Sequence, residues 1–281
     1  MGYVFTQEDA ESLSAWFSNL ENRRVADLET ALLERLYDFR PGARLLDVGC
    51  GTGWFLKYFR DKGLSVTGVD PSMAMLAAAR DLLGPGADLE KAYGEELPFE
   101  DNSFDVASLI TCLEFADDPE KVIAEATRVA RGHIIIGFLN RYAVKNIERR
   151  IRSYLSPTVY SRARFFSVWE IKRFVTGILG DVPMQWGSVW QLPLALSPRT
   201  LVFERMAAVQ ALPFGAFAAV VVECRPRYRL RPLFLDRSEK KAEKLAGSEV
   251  FFKAAPGKPD DGRFSGTGLI RRSCGVSAAG R

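Results

Sequence analysis

Between Ala43 and Phe138 short apolar runs alternate with amphipathic helical stretches, and that alternation restricts the chain to few folds. The spacing predicts strands over 43–48, 65–69, 88–92, 104–110 and 133–138, with helices over 54–61, 72–83 and 118–129 between them. Strand and helix taking turns require right-handed βαβ crossovers, so the expected fold is α/β, a mostly parallel sheet between two helical layers. Ahead of it, residues 8–38 carry two helical patterns, the second with Val25, Leu28, Leu32, Leu33 and Leu36 at three- and four-residue spacing. After Asn140 the alternation stops. Residues 141–180 read as a helical insertion: a basic helical piece, a turn at Ser156 and Pro157, and a helix over 167–179. Two more strands are expected over 184–191 and 215–223, which brings the sheet to seven. The domain is expected to span 1–225, and 226–281, rich in proline, glycine, serine and charge, reads as a flexible tail.

A chain of 281 residues with 47% hydrophobic and 26% charged residues and a mean hydropathy of -0.05 is that of an ordinary globular protein. It carries no run of about 18 uncharged apolar residues and no export signal in MGYVFTQEDAES, so a cytoplasmic location is expected. Cys50, Cys112, Cys224 and Cys274 are scattered without the paired spacing of a zinc or redox site, and no metal is expected. A net charge of +3 is too small to mark a polyanion binder. The one dense basic stretch, Arg141 to Arg173, holds nine cations against Glu148 and Glu170.

In LLDVGCGTGWFLKYF, Leu45 to Phe59, a buried strand runs into Gly49, Gly51 and Gly53 and then into a helix. Ligands of open parallel sheets bind at that kind of turn, where bare backbone and a helix N-terminus accept an anionic end. The spacing is GxGxG, since Trp54 stands where a dinucleotide fingerprint has its third glycine. An acid still closes the second strand, Asp70, 21 positions after Gly49, where a carboxylate can accept from two ribose hydroxyls.

The three motifs DVGCGTG, VDPS and EELPFEDNSFDVASLITCLEF, in that order, resemble the class I S-adenosylmethionine-dependent methyltransferases, type-11 group, related to ubiquinone and menaquinone biosynthesis methyltransferases. The resemblance covers residues 10–140 and extends weakly to Cys224. It implies a Rossmann-like three-layer sandwich whose seventh strand is antiparallel, S-adenosylmethionine as cofactor, and a small-molecule methyl acceptor. By the same resemblance Asp47 holds the cofactor's ammonium, Gly49, Cys50 and Gly51 lie along its methionine end, and Asp70 with Pro71 grips the ribose. Ser72 and Met73 line the adenine pocket, followed by Gly94, Glu95 and Leu97. Thr111 and Leu113 come near the sulfonium methyl. The chain departs from its relatives at Tyr93, where they carry an aspartate facing the adenine amino group. Thr52 is expected to cap the helix that follows.

Methyl transfer from a sulfonium needs alignment more than acid–base help. Glu114 is the only weak candidate for a base, and the single histidine, His133, reads as structural because it starts a strand. Trp16 and Phe17 from the N-terminal helix, and Arg141, Tyr142 and Tyr160 from the insertion, are the expected substrate cover. A basic, aromatic cover would suit an anionic, quinol-like or lipid-headgroup acceptor. Two alternatives remain at this point: a cofactor-binding protein without catalysis, and a nucleic-acid methyltransferase, which the absence of a dedicated nucleic-acid motif disfavours.

Overall fold

A computed structural model describes residues 2–147, 162–191 and 198–224. All of these fall in one compact unit, Met1–Arg229, and the expected boundary at 225, the tail and the turn at Ser156 lie outside the described residues.

Seven strands form one sheet: β1 Arg44–Val48, β2 Ser65–Val69, β3 Asp88–Glu90, β4 Phe104–Ile110, β5 Ala130–Leu139, β6 Met184–Val189 and β7 Phe217–Glu223. Their order is β3-β2-β1-β4-β5-β7-β6. The first five pair in parallel, and β7 enters antiparallel between β5 and β6. This is the expected Rossmann-like sandwich with an antiparallel last strand. The chain reverses its winding between β1 and β4, and the crevice there is where such sheets bind ligands.

Both faces of the sheet are covered, so its strands alternate between two cores rather than between core and water. Along β7, Phe217, Ala219 and Val221 join one core, and Ala218, Val220 and Val222 the other. Helices α2 (Leu20–Leu36), α3 (Trp54–Asp61) and α4 (Met73–Leu83) line the first side, and α5 (Pro119–Val129) and α6 (Val168–Leu179) the second. Local chemistry sets their ends. Asn19 caps α2 through the Glu21 N–H (2.8 Å), Asp118 caps α5 ahead of Pro119, and Ser167 with Glu170 forms a capping box on α6. The first helix, α1 (Gln7–Ser18), starts at a second capping box made by Thr6 and Asp9, and packs on α2 and α4. Two short helices, Pro198–Glu204 and Ala207–Gln210, were not expected; a helix of one or two turns gives too short a pattern to show periodicity.

No helix among the described residues is long and apolar enough to cross a membrane. At the base of the sheet the His133 ring lies 5.0 Å from the Tyr37 ring at a tilt of 57°, and His133 pairs in register with Glu223.

Arg128 ties the loop after β3 to α5. Its guanidinium donates to the Phe99 carbonyl (2.7 Å), the Leu97 carbonyl (3.0 Å), Asp101 Oδ1 (3.0 Å) and Glu125 (2.7 Å). Charge-assisted bonds to partly buried carbonyls that lose their donor are costly, so Arg128→Ala should lower unfolding stability by about 2–3 kcal/mol. Urea titration would measure this, and a loss below about 0.5 kcal/mol would mean that the loop is held by other contacts.

Candidate active site

The glycine turn adopts a conformation that side chains resist. Gly49, Gly51 and Gly53 have φ of 71°, 53° and 81°, all in the left-handed region. A Cβ on Gly49 would lie 2.5 Å from Cys112 Cβ, whereas one on Gly51 would meet nothing closer than Leu13 Cδ2 at 3.7 Å. The first glycine therefore permits close packing, and the second leaves bare backbone beneath α1. Thr52 does not cap α3 as expected: Gly53 takes the N-cap position, without a side-chain bond.

Asp70 holds this turn in place. Its Oδ2 accepts from the Gly51 N–H (3.0 Å) and its Oδ1 from the Ser72 N–H (2.8 Å), so one carboxylate ties the loop after β1 to the start of α4. Each oxygen keeps a second lone pair. On β1, Asp47 stands in register with Ser108 of β4 and accepts from its hydroxyl (2.6 Å). Burial lifts the Asp47 carboxyl to about 7, against the bond from Ser108 and with help from the negative Asp70. Burial likewise lifts Asp70 to about 6, against its two backbone bonds. Among the described residues neither carboxylate has a Lys or Arg partner. Two buried acids beside bare backbone suit a cationic nucleoside, and the residues present fit S-adenosylmethionine in this respect.

These groups open on a cavity beside the glycine turn. Of the expected cofactor residues, Asp47, Gly49, Cys50, Gly51, Asp70 and Pro71 line it, as do Gly94, Glu95 and Thr111. Four others do not. Ser72 is buried, its hydroxyl donating to the Phe5 carbonyl (2.7 Å); Met73 faces outward at 53% exposure, and Met75 lines the wall instead. Leu97 and Leu113 point into the apolar core. Tyr93 lines the cavity, and Glu95 anchors the start of α5 through the Asp117 N–H (3.2 Å).

The roof was missed in the sequence. Residues Gly2 to Phe5 lie over the cavity, held by the Tyr3 N–H on the Phe115 carbonyl (3.1 Å) and by Tyr3 Oη on Asp9 Oδ2 (2.7 Å). The usable signal was TQED, a capping box that starts α1 at Gln7 and so fixes the segment before it. A second cavity adjoins the first, and Phe5, Leu13, Phe17, Phe55, Thr111 and Phe115 line both. Trp16 lines the second cavity, and Phe17 stacks on Trp54 at 4.9 Å. Trp190 and Phe217 complete its far wall, brought there by the insertion of β7 into the sheet.

The rest of the expected cover lies elsewhere. Arg141 donates to the Phe165 carbonyl (2.8 Å) and pairs with Glu170 (3.2 Å), and Tyr142 meets Trp169 edge to face at 6.0 Å; neither lines either of these two cavities. Tyr160 lies outside the described residues. The insertion reaches the roof through Arg162 instead, over the Tyr3 ring at 4.6 Å. Glu114 lines neither cavity. Its Oε1 accepts from the Leu139 N–H (2.6 Å), its Oε2 is buried without a partner among the described residues, and burial lifts its carboxyl to about 7. Burial pushes the thiols of Cys50 and Cys112 well above their ordinary value, so neither is a ready thiolate.

A parallel sheet with this switch point, a glycine turn against two acids and a second cavity beside the first define a nucleoside-cofactor site on a doubly wound fold. The Methyltransferase domain family matches residues 46–136. The uncharacterized protein MJ1123 of Methanocaldococcus jannaschii is 41% identical over 168 residues, which cover 58% of this chain and 74% of that protein. The malonyl-[acyl-carrier protein] O-methyltransferase of Pectobacterium atrosepticum is 35% identical over 118 residues, 41% of this chain and 46% of that one, so the chain spans less than half of it. Among solved structures, a SAM-dependent methyltransferase of Thermotoga maritima, described as a possible histamine N-methyltransferase, superposes with a TM-score of 0.61 at 24% identity over 77% of this chain and 96% of its own. The chain belongs to the S-adenosylmethionine-dependent methyltransferase family.

The raised carboxyl of Asp47 makes a prediction about pH. A carboxyl whose folded pKa lies above its unfolded value destabilises the fold at high pH, and this penalty fades as pH falls toward the unfolded value. Asp47→Asn should therefore raise the melting temperature of the cofactor-free protein at pH 8, with the gap narrowing toward pH 5. Scanning calorimetry across that range checks it; a lower melting temperature at pH 8 would contradict a costly buried charge.

Proposed function

We propose that this protein transfers a methyl group from S-adenosylmethionine to a small-molecule acceptor. The observation that carries the reading is the junction of two cavities at Thr111, one walled by the glycine turn and paired acids, the other apolar. Bound in the first cavity, the cofactor supplies a methyl group already activated on sulfur. Asp47 and the backbone at Gly49 and Gly51 would hold its amino-acid end, the remaining lone pairs of Asp70 would hold its ribose, and Gly94, Met75 and Tyr93 would flank the base. Phe5, Phe17 and Phe115 close over the junction and exclude water, and holding the acceptor at reacting distance there can supply roughly 7–11 kcal/mol of the barrier.

Thr111 marks the junction. Its φ of 50° is unusual for a β-branched residue, and its N–H donates to the Gly137 carbonyl at 2.8 Å, which fixes it at the end of β4. The basic cover that pointed to an anionic acceptor does not support one, because Arg141 is turned toward Glu170.

Incubation with S-adenosylmethionine and candidate acceptors, followed by detection of S-adenosylhomocysteine, tests the activity; cofactor binding without any product across a broad acceptor panel would favour a non-catalytic role. Calorimetric titration tests the site itself. Asp70→Ala should weaken cofactor binding about 10- to 100-fold, and Asp70→Asn, which keeps an acceptor for the Ser72 N–H, should weaken it less. A change under about twofold in Asp70→Ala would place the ribose elsewhere.

A further inference from the structure

Residues 2–5 form neither helix nor strand, yet they lie across the cofactor cavity, with Gly2, Tyr3 and Phe5 in its lining. A segment without its own ladder of backbone bonds keeps its place only through other elements, and this one is fastened at three points. The Tyr3 N–H donates to the Phe115 carbonyl (3.1 Å), on the turn that follows β4. The Tyr3 hydroxyl donates to Asp9 Oδ2 (2.7 Å) on α1, and the Arg162 guanidinium stands over the Tyr3 ring at 4.6 Å. The Ser72 hydroxyl, at the start of α4, donates to the Phe5 carbonyl (2.7 Å). Phe5 packs edge-on against both Tyr3 (5.0 Å) and Phe115 (4.8 Å). Gly2 completes the seal because it lacks a side chain: a Cβ there would lie 2.6 Å from the Phe115 carbonyl oxygen.

Burial pushes the Asp9 carboxyl up, but bonds from the Thr6 N–H, Tyr3 and the Thr6 hydroxyl, with the charge of Arg162, hold it below its ordinary value. Tyr3 therefore donates to an ionised acceptor, which strengthens the bond. The fastenings join protein to protein, and none uses the Asp47 or Asp70 carboxylate or the glycine turn. We infer that residues 2–5 are the gate of the cofactor cavity, opening to admit S-adenosylmethionine and to release S-adenosylhomocysteine when Tyr3 leaves Asp9 and Phe5 leaves Ser72. This rests on the proposed cofactor binding and goes beyond it to the control of exchange. Arg162 brings the insertion into the latch.

A gate has a kinetic signature. Weaker protein–protein fastenings favour the open strap equally with and without cofactor, so both rate constants rise by one factor and Kd stays where it was. A strap that only touched the cofactor would speed dissociation alone and raise Kd in step. Surface plasmon resonance with S-adenosylhomocysteine over the immobilised protein reads both rates. Tyr3→Phe removes the bond to Asp9 and keeps the ring and the Thr6 capping box; it should raise association and dissociation together about three- to tenfold, with Kd within about twofold. Arg162→Gln should do the same by about two- to fivefold. Ser72→Ala should act in the same direction, but it also removes the cap on the Met75 N–H (3.2 Å), so Tyr3→Phe, which touches no cap, decides. Unchanged rates in Tyr3→Phe, or faster dissociation at an unchanged association rate, would overturn the gate. Failure of the unaltered protein to bind S-adenosylhomocysteine would instead overturn the cofactor reading.

Discussion

The Asp70 carboxylate is the constraint on which the site depends. It joins the loop after β1 to the helix after β2 by accepting one backbone N–H from each, and it does so while almost fully buried. The same two crossovers also meet through the Gly49 and Cys50 N–H groups, which donate to the Val69 carbonyl (2.8 and 2.9 Å). Joined, they form one rigid edge of bare backbone, and Ser72 extends the same tie to the roof through the Phe5 carbonyl. A carboxylate in that position costs stability in the empty protein, which is the usual trade at a preorganised binding site.

The fold was legible because burial of both sheet faces writes itself into the sequence. Strand β4 was bounded at Phe104 and Ile110, and helix α3 at Trp54 and Asp61, as the structure has them. Those boundaries follow from strong local signals, glycines on one side and a change of apolar period on the other. The glycine turn and the two acids were legible for the same reason: they are neighbours in sequence to the strands that carry them.

The acceptor side was much less legible, because its walls come from segments far apart in the chain. Phe5, Val25, Leu139, Trp190 and Phe217 meet only once β7 has entered between β5 and β6. No local pattern encodes that meeting. Arg141 and Tyr142 were placed in the cover on charge and aromaticity alone, and the structure spends them on Glu170 and Trp169. Met73 and Met75 show the same limit at closer range, since a helix face cannot be assigned from one residue.

Phe5, Leu13, Phe17, Phe55, Thr111 and Phe115 serve as a party wall between the two chambers. A side chain displaced by a guest in one chamber would therefore be displaced for the other, and thermodynamic reciprocity makes any such coupling equal in both directions.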